Sequence, residues 1–316
     1  MLFAAIAIGW LLGRNAKVSA TDDSPSLHHQ YYKGLNFLLN DQPDGALDAF
    51  IEALEVNSET LETHIAVGNL MRRKGEVERA IRIHQNLLSR PSLPRVHLHQ
   101  AHLELARDFI SAGLLDRAER LLKDLIVDTE ELRDIAMRHL LEIYEAEKEW
   151  EEAIDLAKKL LPKRSLLKSS IPGDTSIAVA LSHYCCELAK LSVEKNDYQT
   201  ARGHLKQALS YDSNCVRASM LLADIEYRTE HYERAIKHLR KVRDQDPVFI
   251  PETMELLKAC FEQQGKPDGF YRYLMDSLDE SPSVSVLLTL VEHIGEETGE
   301  EEASKFLGQE LKRRPS

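Results

Sequence analysis

The chain has 316 residues and carries 40 Lys and Arg against 52 Asp and Glu, a formal net charge of −12 at pH 7. Aromatic residues make up 6 %, and there are only 14 Gly and 11 Pro. This composition is typical of an all-α protein and disfavours an all-β or collagen-like one. The acidic balance, with no long basic block, argues against nucleic acid as the main partner.

The chain begins with an uncharged apolar stretch at residues 1–13, MLFAAIAIGWLLG, followed by Arg14 and Lys17. A helix of that length spans about 20 Å, against about 30 Å of membrane hydrocarbon. We expect a truncated membrane anchor, with residues 14–26 as a linker. A signal peptide and a buried helix are the alternatives. Positive charge after the apolar run favours the anchor and predicts that the remainder faces the cytoplasm.

Three residues of this stretch suit a membrane helix. Trp10 lies near the charged end, where interfacial aromatic residues are found. Gly9 and Gly13 are four residues apart, which would let a second membrane helix approach closely. Chance placement of small residues is the competing interpretation of the two glycines.

From residue 27 onward the sequence repeats itself, and we call the recurring small residue the alanine column. Its steps are 34, 38, 35, 48, 34, 34 and 34 residues, and its members are Ala46, Ala80, Ala118, Ala153, Ala201, Ala235, Gly269 and Ala303. Thirty-four residues is the period of the tetratricopeptide repeat, a helical hairpin that buries its apolar face by stacking on the next. The pattern predicts an all-α, right-handed superhelical solenoid with a concave groove.

The predicted domain covers residues 27–316 and contains about eight hairpins. The 48-residue step places an insertion at 163–176, a predicted loop with three basic residues. It is either a contact for a partner or for phospholipid headgroups, or a solvated insertion. The predicted hairpins are 27–60, 61–98, 99–133, 134–176, 177–215, 216–249, 250–283 and 284–316.

No catalytic signature is found in the sequence. It lacks the G-x-S-x-G, H-E-x-x-H, P-loop and G-x-G-x-x-G patterns. No two cysteines form a C-x-x-C pair, and we expect buried thiols in a reducing compartment. The cysteines are Cys185, Cys186, Cys215 and Cys260.

Two histidine patterns are candidate sites of chemistry. His97, His99 and His102 make the best metal-like cluster, but helical spacing places only the last two on one face. His183 and Cys186 are three residues apart and could pair as base and nucleophile, but no orienting acid is evident. We therefore predict no enzyme, no metal and no cofactor in this chain.

In this repeat class the first helix of each hairpin lines the concave face, and the helical period selects its exposed positions. These positions are mostly basic, and Arg pairs with carboxylates in bidentate fashion. The pattern predicts a groove for an acidic or C-terminal peptide segment. The alternative is salt bridges to neighbouring helices. The groove residues are Asn69, Arg72, Arg73, Arg107, Arg138, His183, Lys190, Arg217, Tyr227, Arg228 and Lys258, with Cys186, Met220 and Met254 at further groove positions.

Several segments carry a more specific signal than the repeat period. They are the apolar start, GLNFLLNDQPDGALDAF at 34–50, GNLMRRKGEVERAIRIHQNLL at 68–88, LARDFISAGLLDRAE at 105–119, HYCCELA at 183–189 and KACFEQQGK at 258–266. Over essentially its whole length the chain resembles the lipopolysaccharide assembly protein B family.

The resemblance implies a single-pass protein of the bacterial inner membrane whose repeats face the cytoplasm. It implies an adaptor that presents the deacetylase of the committed lipid A step to the FtsH protease and so limits lipopolysaccharide synthesis. It also implies an antagonist, an inner-membrane sensor of lipopolysaccharide that binds through the membrane region. A structural scaffold that gathers lipopolysaccharide assembly proteins is the alternative function, and a homo-oligomer is left open.

The resemblance has one departure. The family ends in a rubredoxin-like domain in which two C-x-x-C pairs hold a metal, whereas this chain ends at Ser316 within its last predicted repeat. Its four cysteines are repeat cysteines and do not match those ligands. The family's metal is therefore not carried over to this chain.

Overall fold

The computed structural model describes residues 61–89, 94–161, 172–280 and 282–313, with a few positions between 32 and 49. The predicted anchor with Gly9, Trp10 and Gly13 lies outside the described residues, as does most of the 163–176 insertion. In the described ranges all regular structure is helical.

The described helices follow one another in hairpins, as the repeat period predicts. In chain order they are α1 (Leu61–Arg73), α2 (Val77–Leu88), α3 (Arg95–Ser111), α4 (Leu115–Asp128), α5 (Arg133–Glu147), α6 (Trp150–Leu160), α7 (Pro172–Glu194), α8 (Tyr198–Tyr211), α9 (Val216–Arg228), α10 (Tyr232–Gln245), α11 (Ile250–Gln263), α12 (Asp268–Glu280), α13 (Val284–Thr298) and α14 (Glu300–Arg313).

The 163–176 stretch departs from the predicted loop. Its last residues belong to the first turn of α7, which begins at Pro172 and is the longest described helix. Proline suits the first turn of a helix because the backbone N–H that it lacks would have no partner there. The insertion therefore lengthens a first helix of a hairpin as well as separating two hairpins.

The chain divides into two compact units, residues 1–140 and 141–316. In the first unit α1 packs on α2, α2 on α3 and α3 on α4, and α1 also contacts α3. In the second unit each helix from α6 to α14 packs on the next, and α7, α9, α11 and α13 contact one another in turn. Within each unit the first helices of successive hairpins are thus neighbours, as stacking requires.

From the second hairpin onward, the alanine column lies on the second helix of each described hairpin. Its members from the second to the sixth hairpin have no exposed surface: Ala80, Ala118, Ala153, Ala201 and Ala235. A methyl side chain at this place lets the second helix lie close to the first, and larger residues one turn away fill the remaining space.

The seventh member of the alanine column is a glycine rather than an alanine. A Cβ atom on Gly269 would lie 2.6 Å from the ring of Phe261, on the first helix of the same hairpin. The neighbouring Phe270 is buried instead and joins the core around Leu257 and Leu274. Glycine is therefore required here because an aromatic ring has taken the space that alanine fills elsewhere.

Candidate functional site

The predicted groove residues all lie on first helices of hairpins. The first unit contributes Asn69, Arg72 and Arg73 on α1, Arg107 on α3 and Arg138 on α5. The second unit contributes His183 and Lys190 on α7, Arg217, Tyr227 and Arg228 on α9 and Lys258 on α11.

Arg72 is held by polar partners on two helices. Its Nη1 donates to Asp108 Oδ1 at 2.6 Å, and its Nη2 donates to Glu104 Oε2 at 2.8 Å and to Asn69 Oδ1 at 2.7 Å. The arginine side chain is 17 % exposed and that of Asp108 is fully buried. Burial acts to lower the pKa of Arg72, but hydrogen bonds to Asp108 and Glu104 outweigh it and raise the pKa.

The same buried carboxylate also contacts the second helix of the preceding hairpin. Asp108 Oδ2 lies 2.5 Å from Nδ1 of His84, which has no exposed surface. A Cβ atom on Gly68 would lie 2.5 Å from the His84 ring, so glycine makes room for the imidazole. One carboxylate thus connects α1, α2 and α3, and a polar network joins two hairpins.

Arg107 extends this network on α3. Its Nη1 donates to Glu104 Oε1 at 2.6 Å, and its Nε donates to His139 Nε2 on α5 at 3.0 Å. Glu104 therefore bridges Arg72 and Arg107. These two arginines thus already have a protein carboxylate as a partner.

The second unit pairs its arginines closer to the surface. Arg217 donates to Glu187 on the neighbouring first helix, and each side chain is about a third exposed. Arg228 Nε donates to Asp224 Oδ2 at 2.8 Å, one turn earlier on the same helix. Tyr227 is half-buried beside Tyr232, with ring centroids 5.7 Å apart.

Salt bridges to a neighbouring helix, the alternative for the basic positions, are formed by Arg72 and Arg217, whereas Arg107 and Arg228 pair with carboxylates on their own helices. The sequence pattern indicates that these positions are mostly basic, but it does not predict the carboxylates that pair with them. The remaining basic groove residues are exposed: Arg73, Arg138, His183, Lys190 and Lys258.

Three further groove positions are less exposed than predicted. Cys186 has no exposed surface, and Met220 and Met254 are half-buried. The pairing of Cys186 with His183 is not formed, because His183 is exposed and Cys186 Sγ lies 4.0 Å from Cys215 Sγ in the interior. Among the described residues no group of three potential metal ligands comes together, so the histidines at 97, 99 and 102 do not assemble a centre.

Two cavities lie beside these positions, one in each unit. The cavity of the second unit has a volume of about 750 Å³, and His183, Lys190 and Arg217 give it a basic side. Its other lining residues are apolar, acidic or neutral polar, and they include Met220, Phe249 and Glu252. A cavity of the same volume in the first unit is lined by Arg107 and by two adjacent acids, Glu130 and Glu131.

Similarity to known proteins agrees with this architecture. Residues 103–166 and 186–248 match the tetratricopeptide repeat family. Lipopolysaccharide assembly protein B of Escherichia coli K12 is 34 % identical over the whole chain, which covers 79 % of that protein. The protein of that name from Haemophilus influenzae is 36 % identical with the same coverage. The chain belongs to the lipopolysaccharide assembly protein B family.

The solved structures that are similar to this chain share little sequence identity with it. MamA is 18 % identical with a TM-score of 0.35, over 57 % of this chain and 95 % of its own. A tetratricopeptide repeat protein from Parabacteroides merdae is 14 % identical with a TM-score of 0.41, over 81 % and 93 %. YrrB, described as having an unusual peptide-binding site, is 15 % identical with a TM-score of 0.34, over 60 % and 89 %.

The membrane helix expected of this family member is not among the described helices. In the ranges that the structure describes, none combines the length and the apolar character that a bilayer crossing demands. The segment proposed as the anchor, residues 1–13, lies outside those ranges.

Proposed function

We propose that the chain is a non-enzymatic adaptor in the regulation of lipopolysaccharide assembly. It presents the deacetylase of the lipid A pathway to the FtsH protease, and degradation of the deacetylase then limits lipopolysaccharide synthesis. Membership of the lipopolysaccharide assembly protein B family is the observation that carries this proposal. Stacked helical hairpins with cavities beside their first helices suit protein binding.

The mechanism is proximity. An adaptor that binds protease and substrate together converts their encounter into an intramolecular event and raises the effective concentration of one for the other. No catalytic group is needed for this effect. The separate cavities of the two units offer surfaces for two partners, or for two segments of one partner.

The cavity of the second unit is the favoured site for a peptide segment of the substrate. His183 and Lys190 are exposed on its basic side, and Phe249 and Met220 supply apolar surface. These groups suit a segment with an acidic side chain or terminal carboxylate next to an apolar residue. Arg217 can exchange Glu187 for a ligand carboxylate at low cost because both partners are about a third exposed.

The proposal includes attachment to the bacterial inner membrane by a single helix at residues 1–13, with the repeats in the cytoplasm. Gly9, Trp10 and Gly13 would pack and orient that helix, and the lipopolysaccharide-sensing antagonist would bind there. The apolar stretch followed by Arg14 and Lys17 supports this orientation. Crosslinking pull-down from membranes, with and without residues 1–20, tests tether and partners together.

The decisive test of the adaptor is the lifetime of the deacetylase in cells. Deleting the gene for this chain should lengthen that lifetime several-fold if the chain presents the enzyme to FtsH. An unchanged lifetime would contradict the adaptor. Co-purification of lipopolysaccharide assembly enzymes without FtsH would instead favour the structural scaffold.

The groove is tested by a matched pair of charge reversals. Lys190→Glu changes the basic side of the cavity, and Lys237→Glu makes the same charge change at an exposed position on α10, a second helix. We expect only the first to weaken capture of the deacetylase and slow its degradation. Equal effects of the two variants would exclude this cavity as the binding site.

A further inference from the structure

Two buried cysteine side chains lie next to each other in the second unit. Cys186 projects from the middle of α7, and Cys215 is the residue immediately before α9. Their sulfur atoms are 4.0 Å apart, and both residues are buried. The helices that carry them pack directly against each other. The two thiols are therefore held together by tertiary structure although 29 residues separate them in sequence.

The two sulfurs differ in their surroundings. Cys215 is the N-cap of α9, where the amide dipoles of the helix favour a negative charge. Its hydrogen bond with Cys186 and the nearby amide of Ala218 hold the pKa of Cys215 well below that of an ordinary thiol. The same hydrogen bond and burial raise the pKa of Cys186. The surroundings thus favour the thiolate form at Cys215 and the protonated thiol at Cys186.

Cys215 also has a route to small reagents. It is one of the residues that line the cavity of the second unit, beside His183 and Arg217. By contrast, burial raises the pKa of both Cys185 and Cys260 to about 11, so these stay protonated at neutral pH. Of the four cysteines, Cys215 alone combines thiolate character with a place on a cavity wall.

We propose that Cys186 and Cys215 are a peroxide-sensitive pair that forms a reversible intramolecular disulfide. The sulfurs must approach from 4.0 Å to about 2.05 Å, a movement that side-chain rotation provides where the Cβ atoms are suitably placed. The inference concerns modification of the chain itself and stands whether or not the cavity binds the deacetylase.

The reaction has two steps and hydrogen peroxide is its oxidant. The Cys215 thiolate attacks one peroxide oxygen, the O–O bond breaks, and with one proton the products are Cys215 sulfenic acid and water. The Cys186 sulfur then attacks the sulfenic sulfur, the S–O bond breaks, and the thiol proton leaves with the hydroxyl group as a second water. Two thiols are oxidised by two electrons, and a small dithiol or glutathione reverses the reaction by exchange.

The disulfide would change the cavity wall. The Cys215 sulfur would turn away from the cavity and toward Cys186 on α7. Cys186 is next in sequence to Glu187, the side chain that pairs with Arg217. A covalent link from α7 to the start of α9 would also fix the spacing of two first helices that are otherwise held by packing and by the Arg217–Glu187 ion pair. The redox state of the pair therefore sets the shape of this surface.

The full chain is treated with hydrogen peroxide, blocked with N-ethylmaleimide, digested without reduction and mapped by mass spectrometry. We expect one linked peptide pair, containing Cys186 and Cys215, which disappears on treatment with dithiothreitol. Cys185→Ser and Cys260→Ser are the matched controls and should retain the link. A folded chain that forms no such link, or that links Cys185 or Cys260 at equal yield, overturns the proposal.

The order of the two steps is tested by trapping the sulfenic acid with dimedone. In Cys186→Ser the label should accumulate on Cys215, because the resolving thiol is gone. In Cys215→Ser no cysteine should be labelled. Thermal unfolding verifies that each variant is folded, and iodoacetamide at pH 7 should modify Cys215 of the untreated wild-type chain first. Faster alkylation of Cys185 or Cys260 would contradict the assignment of Cys215 as the reactive thiol.

Discussion

Arginines at the predicted groove positions have different roles in the two units. In the first unit Arg72 reaches Asp108, a carboxylate with no exposed surface that also contacts a buried histidine. In the second unit Arg217 reaches Glu187, and both side chains are about a third exposed. Removing one partner of a buried ion pair is strongly destabilising because the other charge stays buried and unpaired, whereas an exposed ion pair contributes little to stability. Burial of the acid, rather than the presence of the arginine, decides whether the position stabilises the fold or presents charge.

Removing the buried acid should have the largest effect. Asp108→Ala leaves Arg72 without its closest partner and His84 without its hydrogen bond, and we expect a loss of about 3–5 kcal/mol in the free energy of unfolding. Asp224→Ala, which removes the exposed partner of Arg228, should cost no more than about 1 kcal/mol. Urea denaturation of the full chains measures both. Similar midpoints would show that the two kinds of pair do not differ.

The second largest effect should come from crowding the same network. Gly68→Ala places a methyl group against the His84 ring, and overpacking of this kind costs about 1–3 kcal/mol. Gly203→Ala is the matched control, since nothing lies within 4 Å of its added Cβ, and it should stabilise α8 by up to about 1 kcal/mol. The double variant Gly68→Ala with His84→Ala should lose less than the sum of the single losses. A loss in the double variant equal to the sum of the two single losses would contradict direct contact between the added methyl group and the His84 ring.

A third experiment concerns the buried acid of the second unit, Glu226 on α9, whose arginine partner lies on α8 of the preceding hairpin. Arg202 Nε donates to Glu226 Oε1 at 2.7 Å and its Nη2 donates to Thr229 Oγ1. Burial acts to raise the pKa of Glu226, but the hydrogen bond and charge of Arg202 outweigh it and lower the pKa. Because the folded pKa is depressed, this stabilisation is present above the unfolded value of 4.5 and is lost as pH falls below it.

The expected result is a smaller decline of the unfolding free energy between about pH 5 and pH 3 in Glu226→Gln than in the wild-type chain. Chemical denaturation at a series of pH values provides the two curves. Parallel curves would mean that Glu226 titrates alike in the folded and unfolded states. Glu233→Gln, at an exposed position on α10, is the control for removing a carboxylate that is not buried.

The smallest effect should be the coupling of Arg217 with Glu187. A double-mutant cycle with Arg217→Gln and Glu187→Gln should give a coupling energy of at most about 1 kcal/mol, reduced further by added salt. The equivalent cycle for Arg72 and Asp108 should give a clearly larger value. Equal coupling energies would remove the distinction between the units.

The repeat period predicts the helical hairpins and the buried alanine column because both depend on spacing along a single helix. It also places the groove residues on first helices, as found. It does not predict Glu104, Asp108 or His84 as their partners, because spacing within one helix does not say which side chain on another helix is within reach. The prediction that Cys186 is exposed in the groove is wrong for a related reason. Cys186 lies one turn from the exposed His183, at the edge where the helix face turns toward the core.

The turns that join the two helices of the described hairpins have a consequence for folding kinetics. After α1 the chain reverses through Gly75 at φ 84°, and the Glu76 amide donates to the Met71 carbonyl. Lys148, Asn196 and Glu230 occupy the same left-handed conformation without being glycine. Each reversal closes on neighbours five residues or fewer away, so little chain entropy is lost before a hairpin forms. Such local closure predicts that the hairpins form quickly and that contacts between hairpins, which join residues farther apart in sequence, form more slowly.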